Sequence, residues 1–338
     1  RQRNYRGEIS MNDISVLIIK ASEKQASDLY IRENTYPYIR NKEGNVILLG
    51  ASRVSVHHIQ SFFEDISIKE IAEIQSDLDF SYQVSGINCR WHFYRTIHGM
   101  ALAIRILPQK IPTLNQLGLP DSVSELLKEK SGLVIVSGPT GSGKSTTLAA
   151  MINAINMSYP YHIITLENPV EYIFDDNKSI ISQIEIGKNI KSFSDGIKAA
   201  MRENPNVIMI GELRTLEDIK TALFAAESGH LVFTTLHSGS VIDALDRLLN
   251  YEENLQMKNM FANTFKAIIV QRLLQNNDKG KTLCCEILLR NTATVSYIKD
   301  NNYSQLINIM KATPGMMTMQ DALSDLIEKN LVAPDTTL

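Results

Sequence analysis

Through the later part of the chain, short apolar runs alternate with longer stretches in which apolar residues recur at helical spacing. GLVIVS, HIITLE, NVIMIGE and LVFTTLH, beginning at residues 132, 162, 206 and 231, are dense in Val, Ile and Leu and too short for buried helices. Their length predicts strands covered on both faces. Between them the spacing predicts a helix after Lys144, one over about 194–201 and one from Thr215. Thr215, Leu216, Glu217 and Asp218 form a capping-box pattern, Leu216, Ile219 and Leu223 keep helical spacing, and Gly229 supplies a stop. Ser240 and Asp243 repeat the capping pattern after the last run, which predicts His237 in a strand-to-helix loop. This alternation predicts an α/β domain over 121–338 with a mainly parallel sheet and crossover helices. Its last part, 256–338, is predicted mostly helical with one hairpin-like interruption.

The earlier segment, 11–105, mixes amphipathic helix patterns with short strand patterns at 28–31 and 45–49, the second entered through Glu43 and Gly44, and predicts a small α+β domain. Residues 106–120, ILPQKIPTLNQLGLP, hold Pro108, Pro112, Pro120 and Gly118 without a period, and are predicted to be a linker and candidate hinge. Residues 1–10 are polar and basic, are expected to be a disordered or tag-like leader, and lack the apolar stretch of a secretory signal.

Composition narrows the classes. With 34 basic against 37 acidic residues, no general nucleic-acid-binding surface is expected. Cys89, Cys284 and Cys285 make no CxxC pair, which fits buried thiols in a reducing compartment and a cytoplasmic protein. The apolar runs stay far below the roughly 20 residues needed to cross a bilayer, so any membrane association is expected to be peripheral.

The chemistry starts at GPTGSGKS, residues 138–145, which satisfies G-x-x-x-x-G-K-[ST] between a strand and a helix. Gly138, Pro139, Thr140, Gly141, Ser142, Gly143, Lys144, Ser145 and Thr146 are the candidate ATP-binding residues. Backbone N–H groups and the helix N-terminus attract phosphates, Lys144 reaches the β and γ phosphates, and Ser145 is a candidate Mg²⁺ ligand. Hydrolysis also needs a group that activates water. Glu212, at the end of an apolar strand, is the candidate general base, and Glu167, at the end of another, is a candidate catalytic carboxylate that acts on the metal through water; Glu171 is either a second such carboxylate or a solvated loop charge. His237 is expected near the γ phosphate as a sensor of ATP against ADP. His230 opens the same strand, so a capping or packing role is expected for it.

GPTGSGKSTT, ITLENPVEYI, RENPNVIMIGELR and AAESGHLVFTTLH resemble, in this order, the Walker A, Asp box, Walker B and His box of the secretion ATPases of type II and type IV pilus systems. The segment ASDLYIRENTYPYIR, 26–40, is similar to that family's opening motif, and the whole chain looks most like the PilT-like retraction ATPases. The resemblance implies a PAS-like N-terminal domain, a RecA-like P-loop NTPase domain and a homohexamer. It also implies docking to an inner-membrane pilus platform protein and hydrolysis that powers pilus retraction. Arginines from the N-terminal domain reach the nucleotide in that family; Arg90 and Arg105 match them, while His98 stands where relatives have another arginine. Asn168 and Asn206 replace family aspartates, and TVSYIKDN, 294–301, keeps only the helical outline of a segment that marks retraction motors. An assembly or type IV secretion motor, and a nucleotide-gated scaffold with negligible turnover, are the alternatives.

Overall fold

A computed structural model of the chain describes residues 14–66, 77–108, 110–249, 255–278 and 280–338, and the leader expected over 1–10 lies outside them. The chain divides into two compact units, one running to Lys110 and including Glu171–Ile173, the other holding Ile111–Val170 and Phe174–Leu338.

The first unit runs α1 (Ile14–Glu23), β1 (Asp28–Arg32), β2 (Tyr38–Arg40), β3 (Val46–Leu48), α2 (Val56–Asp65), β4 (Leu78–Val84), β5 (Ile87–Thr96) and β6 (Gly99–Ile106). Its strands form one antiparallel sheet in the order β3-β2-β1-β6-β5-β4. Strand alternation sends Cys89, Trp91 and Phe93 of β5 into the core and leaves Arg90 and His92 on the other face. Trp91 stacks on Phe62 of α2 at 4.6 Å and on Phe80 of β4 at 5.6 Å, which anchors the helix to the sheet.

Residues 106–120, expected to be a linker, divide between the two units. Ile106 ends β6, and Leu107 is buried with its N–H donating to Asn88 O at 2.8 Å. From Ile111 on, Leu114, Leu117 and Leu119 pack into the core of the second unit, so the division falls at Lys110–Ile111.

The second unit runs α3 (Asp121–Leu126), β7 (Gly132–Ser137), α4 (Lys144–Ser158), β8 (His162–Glu167), β9 (Ile180–Glu185), α5 (Phe193–Ala200), β10 (Val207–Ile210), α6 (Leu216–Glu227), β11 (Leu231–Leu236), α7 (Val241–Leu249), α8 (Leu255–Thr264), β12 (Phe265–Gln275), β13 (Lys281–Leu289), α9 (Thr292–Lys299), α10 (Leu306–Ala312) and α11 (Met319–Glu328). The sheet order is β13-β12-β7-β11-β10-β8-β9, parallel except for β13. Apolar clusters cover both faces, which is why its central strands are continuous apolar runs. The expected capping box of Thr215 with Asp218 is present, and Ser240 Oγ accepts from Asp243 N–H at 3.1 Å.

The hairpin-like interruption expected in the C-terminal part is β12 and β13, which extend the sheet as a long hairpin. One strand departs from the expectations. At the far edge, β9 is half-buried and polar enough to read as loop. Among the described residues no helix is long and apolar enough to cross a membrane.

Candidate nucleotide-binding site

Ser137 ends β7 and Lys144 opens α4, so the glycine-rich loop turns from a buried strand directly into a helix N-terminus. Gly138 and Gly143 hold φ of +143° and +87°, a region that side chains rarely adopt. At Gly138 a Cβ would overlap the Gln271 carbonyl oxygen and Ser142 Oγ, so the loop lies against β12. Gln271 also donates from Nε2 to Ser142 O at 2.7 Å. Lys144, only 9% exposed, donates from Nζ to Gly138 O at 2.9 Å and Pro139 O at 3.0 Å, which holds its ammonium over the loop. Pro139, Thr140 and Gly141 form the exposed tip, and Ser145 and Thr146 occupy the first turn of α4, with Ser145 exposed.

The neighbouring strand ends bring the acids. Glu167, the last residue of β8, is buried, and its Oε1 accepts from Thr165 Oγ1 at 2.7 Å and Gln183 Nε2 at 3.1 Å. Gly211 N–H donates to Leu166 O at 2.7 Å. A Cβ on Gly211 would sit 3.2 Å from that oxygen, so glycine here lets β10 close on β8. Glu212 follows at once, with Oε1 paired to the Arg214 guanidinium and Oε2 3.8 Å from His237 Nε2.

His237 lies just past β11. Burial first, and then the Lys144 ammonium, push its pKa below the ordinary 6.5, with Arg247 and Arg214 adding to this and Glu212 opposing it. Arg247 donates to His237 O at 2.9 Å, and Ser238 N–H donates to Ser137 Oγ at 3.0 Å, so the loop is tethered from α7 and from β7. Phosphate loop, Glu167, Glu212 and His237 thus meet at the carboxyl ends of adjacent parallel strands, where open α/β sheets bind ligands.

Other residues lie elsewhere. His230 stands at the opposite end of β11, its Nδ1 3.0 Å from Ala225 O, and closes the end of α6. Asn206 is at the start of β10, away from the phosphate loop, where its Oδ1 accepts from His162 N–H at 2.9 Å. Glu171 is exposed. Arg90 and Arg105 belong to the first unit, where they are exposed cross-strand neighbours on β5 and β6; Arg105 Nε lies 3.5 Å from Asp28 Oδ1. His98 occupies the turn between those strands, its N–H donating to Thr96 Oγ1 at 3.1 Å.

Sequence reasoning missed Arg214, Gln183 and Gln271. Gln271 had a signal, since a lone amide in the apolar run of β12 needs a buried partner. Arg214 sits two residues past Glu212 in a turn without period, and its side chain reaches back to that carboxylate.

Residues 8–328 match the family described as Type II/IV secretion system protein. The twitching motility protein of Neisseria gonorrhoeae is 36% identical over 274 residues, covering 79% of this chain and 73% of that one. The type IV pilus retraction ATPase PilT of Pseudomonas aeruginosa is 32% identical over 330 residues, covering 95% and 96%. The crystal structure of a pilus retraction motor PilT with bound ADP is similar at a TM-score of 0.87 and 38% identity, covering 96% of this chain and 95% of that one. Site, fold and family match agree, and the chain belongs to the type II/IV secretion system protein family.

Proposed function

We propose that the protein is an ATP-hydrolysing motor that drives retraction of a type IV pilus. The observation that carries this is the convergence of Lys144, Glu212 and His237 at one end of one sheet, with relatives of nearly full coverage named as twitching and retraction proteins. Lys144 and the loop amides bind the phosphates. Glu212 orients the attacking water and takes its proton, while Arg214 fixes the carboxylate. His237 stays neutral near pH 7 and donates toward the γ phosphate, which distinguishes ATP from ADP. Ser145 and Glu167 offer hard oxygen donors of the kind Mg²⁺ prefers, and Thr165 and Gln183 orient the Glu167 carboxylate. Mg²⁺ held there would neutralise phosphate charge.

The finer reading follows the family resemblance. The first unit is the PAS-like domain and the second the RecA-like domain. Six copies form a ring at the cytoplasmic face of the inner membrane against a pilus platform protein, and Arg90 and Arg105 reach nucleotide across the ring. Nucleotide turnover flexes the joint at Lys110–Ile111. One observation favours a second reading, an assembly or secretion motor: TVSYIKDN, whose first six residues lie in α9, stands where retraction motors have their own segment.

The test is deletion of the gene in its host, counting of surface pili by electron microscopy, and complementation with wild type and Glu212→Gln. Excess pili corrected only by wild type are expected. Loss of pili would assign the protein to assembly, unchanged pili with failed substrate transfer to secretion, and full correction by Glu212→Gln would leave a scaffold that does not need turnover.

A further inference from the structure

Glu286 lies on β13, outside the four motifs that build the site, and is a carboxylate only 8% exposed. Burying such a group is costly unless a partner holds it. Its Oε2 accepts from Val241 N–H at 2.9 Å. Val241 is the first residue of α7, so the carboxylate also faces the positive end of that helix. Four residues before Val241 stands His237.

The loop between them passes beside charged groups. A Cβ on Gly239 would lie 3.5 Å from Asp243 Oδ2 and 3.9 Å from Arg272 Nη2, at ordinary contact distance. Burial, with Asp243 adding to it, pushes the Glu286 pKa up, and Val241 N–H and Arg272 draw it down. Across the hairpin, Val270 pairs with Glu286 and Gln271 with Cys285. The strand that carries Gln271 to the phosphate loop is therefore bonded to the strand that carries Glu286 to the histidine loop.

We propose that Glu286 is a positioning residue for ATP hydrolysis: by holding the Val241 N–H it fixes the loop that presents His237 to Glu212, and the β12–β13 hairpin braces both nucleotide-facing loops from behind. This rests on the role in turnover given to His237 above. A carboxylate that served only to stabilise α7 would lower the melting temperature without a specific link to His237.

The experiment measures kcat and KM for ATP of the full chain with Glu286→Met, Glu286→Gln and Val241→Pro, each with and without His237→Ala. Methionine has a similar volume and no acceptor oxygen. Proline at the first helical position is tolerated and removes the donor while Glu286 stays, so it carries the same test if Glu286→Met does not fold. Glu286→Met and Val241→Pro are expected to lower kcat about tenfold or more with KM within about threefold, and Glu286→Gln, which still accepts, to keep about a third of wild-type kcat or better. In the His237→Ala background, Glu286→Met is expected to change kcat by less than about twofold. Losses that multiply instead, or a Glu286→Gln variant as impaired as Glu286→Met, would overturn the proposal while leaving His237 in place. Wild-type kcat in His237→Ala alone would overturn the role of His237 and this proposal with it.

Discussion

Replacing Gly138 and Gly141 separately by alanine tests how the phosphate loop keeps its shape. Both glycines have positive φ, +143° and +80°, so alanine at either carries a conformational cost of about 1–2 kcal/mol. At Gly141 nothing lies within 4 Å of the added Cβ, and the cost stops there. At Gly138 the Cβ meets the Gln271 carbonyl on one side and Ser142 on the other. A backbone oxygen in β12 cannot turn away without breaking its strand, so the loop must move, at a further ~1–3 kcal/mol typical of overpacking. A difference of ~1 kcal/mol corresponds to about fivefold in an equilibrium constant, and each ~1 kcal/mol lowers the melting temperature of a unit this size by roughly 2–4 °C. Titration with a fluorescent ATP analogue and thermal unfolding should therefore rank wild type above Gly141→Ala and Gly141→Ala above Gly138→Ala, with at least about fivefold in affinity between the variants. Equal affinity and equal melting in the two variants would refute the idea that β12 shapes the loop.

Three other outcomes follow from the site. Because the folded-state pKa of His237 lies below 6.5, neutral His237 persists as pH falls past that value, and the acid limb of kcat should sit below 6.5 and vanish in His237→Gln; a limb unchanged in that variant assigns it to another group. The sign for stability agrees, since the unfolded chain binds the proton first: the contribution of His237 is present above 6.5 and is lost as pH falls through its folded-state value. Asn206→Asp keeps the acceptor for His162 N–H and should leave kcat unchanged, whereas Asn206→Ala should cost about 1–2 kcal/mol in urea unfolding; a rise in kcat with Asp would show that this position acts on the nucleotide after all. Arg214→Ala should lower kcat more than tenfold while stability changes by no more than ~1 kcal/mol, the pair being partly exposed; an effect confined to unfolding would make Arg214 structural.

What the sequence shows and what it hides have a common cause. The parallel strands β7, β8, β10 and β11 are legible because both faces of the sheet are covered, which forces continuous apolar runs, and the loop chemistry at their ends is legible because glycine, lysine and glutamate stand at fixed offsets from those runs. The same burial removes the alternation that would mark β12 as a strand by its period alone. Glu286 and Gln271 are invisible as site residues because their partners, Val241 and Ser142, lie 45 and 129 positions away and are reached only once the hairpin joins the sheet. The two asparagines look alike in sequence and differ in space: Asn168 follows the strand end that carries Glu167, and Asn206 precedes the opposite end of β10.

Position on the sheet also bears on how a change at the nucleotide travels. β13 does not end at Glu286: Ile287 next to it exchanges backbone hydrogen bonds with Met317, at 2.7 and 3.1 Å, and Cys284 Sγ lies 3.7 Å from Met319 O at the start of α11. The C-terminal helices therefore hang from the same strand that braces the histidine loop. In a close-packed interior a strand moves with what is bonded to it on both sides, and the His237 loop is linked through Val241 and Glu286 to the strand that reaches α11; on the sensor role proposed for His237, a shift of its loop would have this route. Residues of α9 and α10 pack in one apolar cluster with Cys284 and Leu288 of β13, which extends that route toward the TVSYIKDN segment. On the motor function proposed above, the site would set when the strand shifts and the helices what the shift pushes, so family members with the same hydrolytic site can differ in direction of movement.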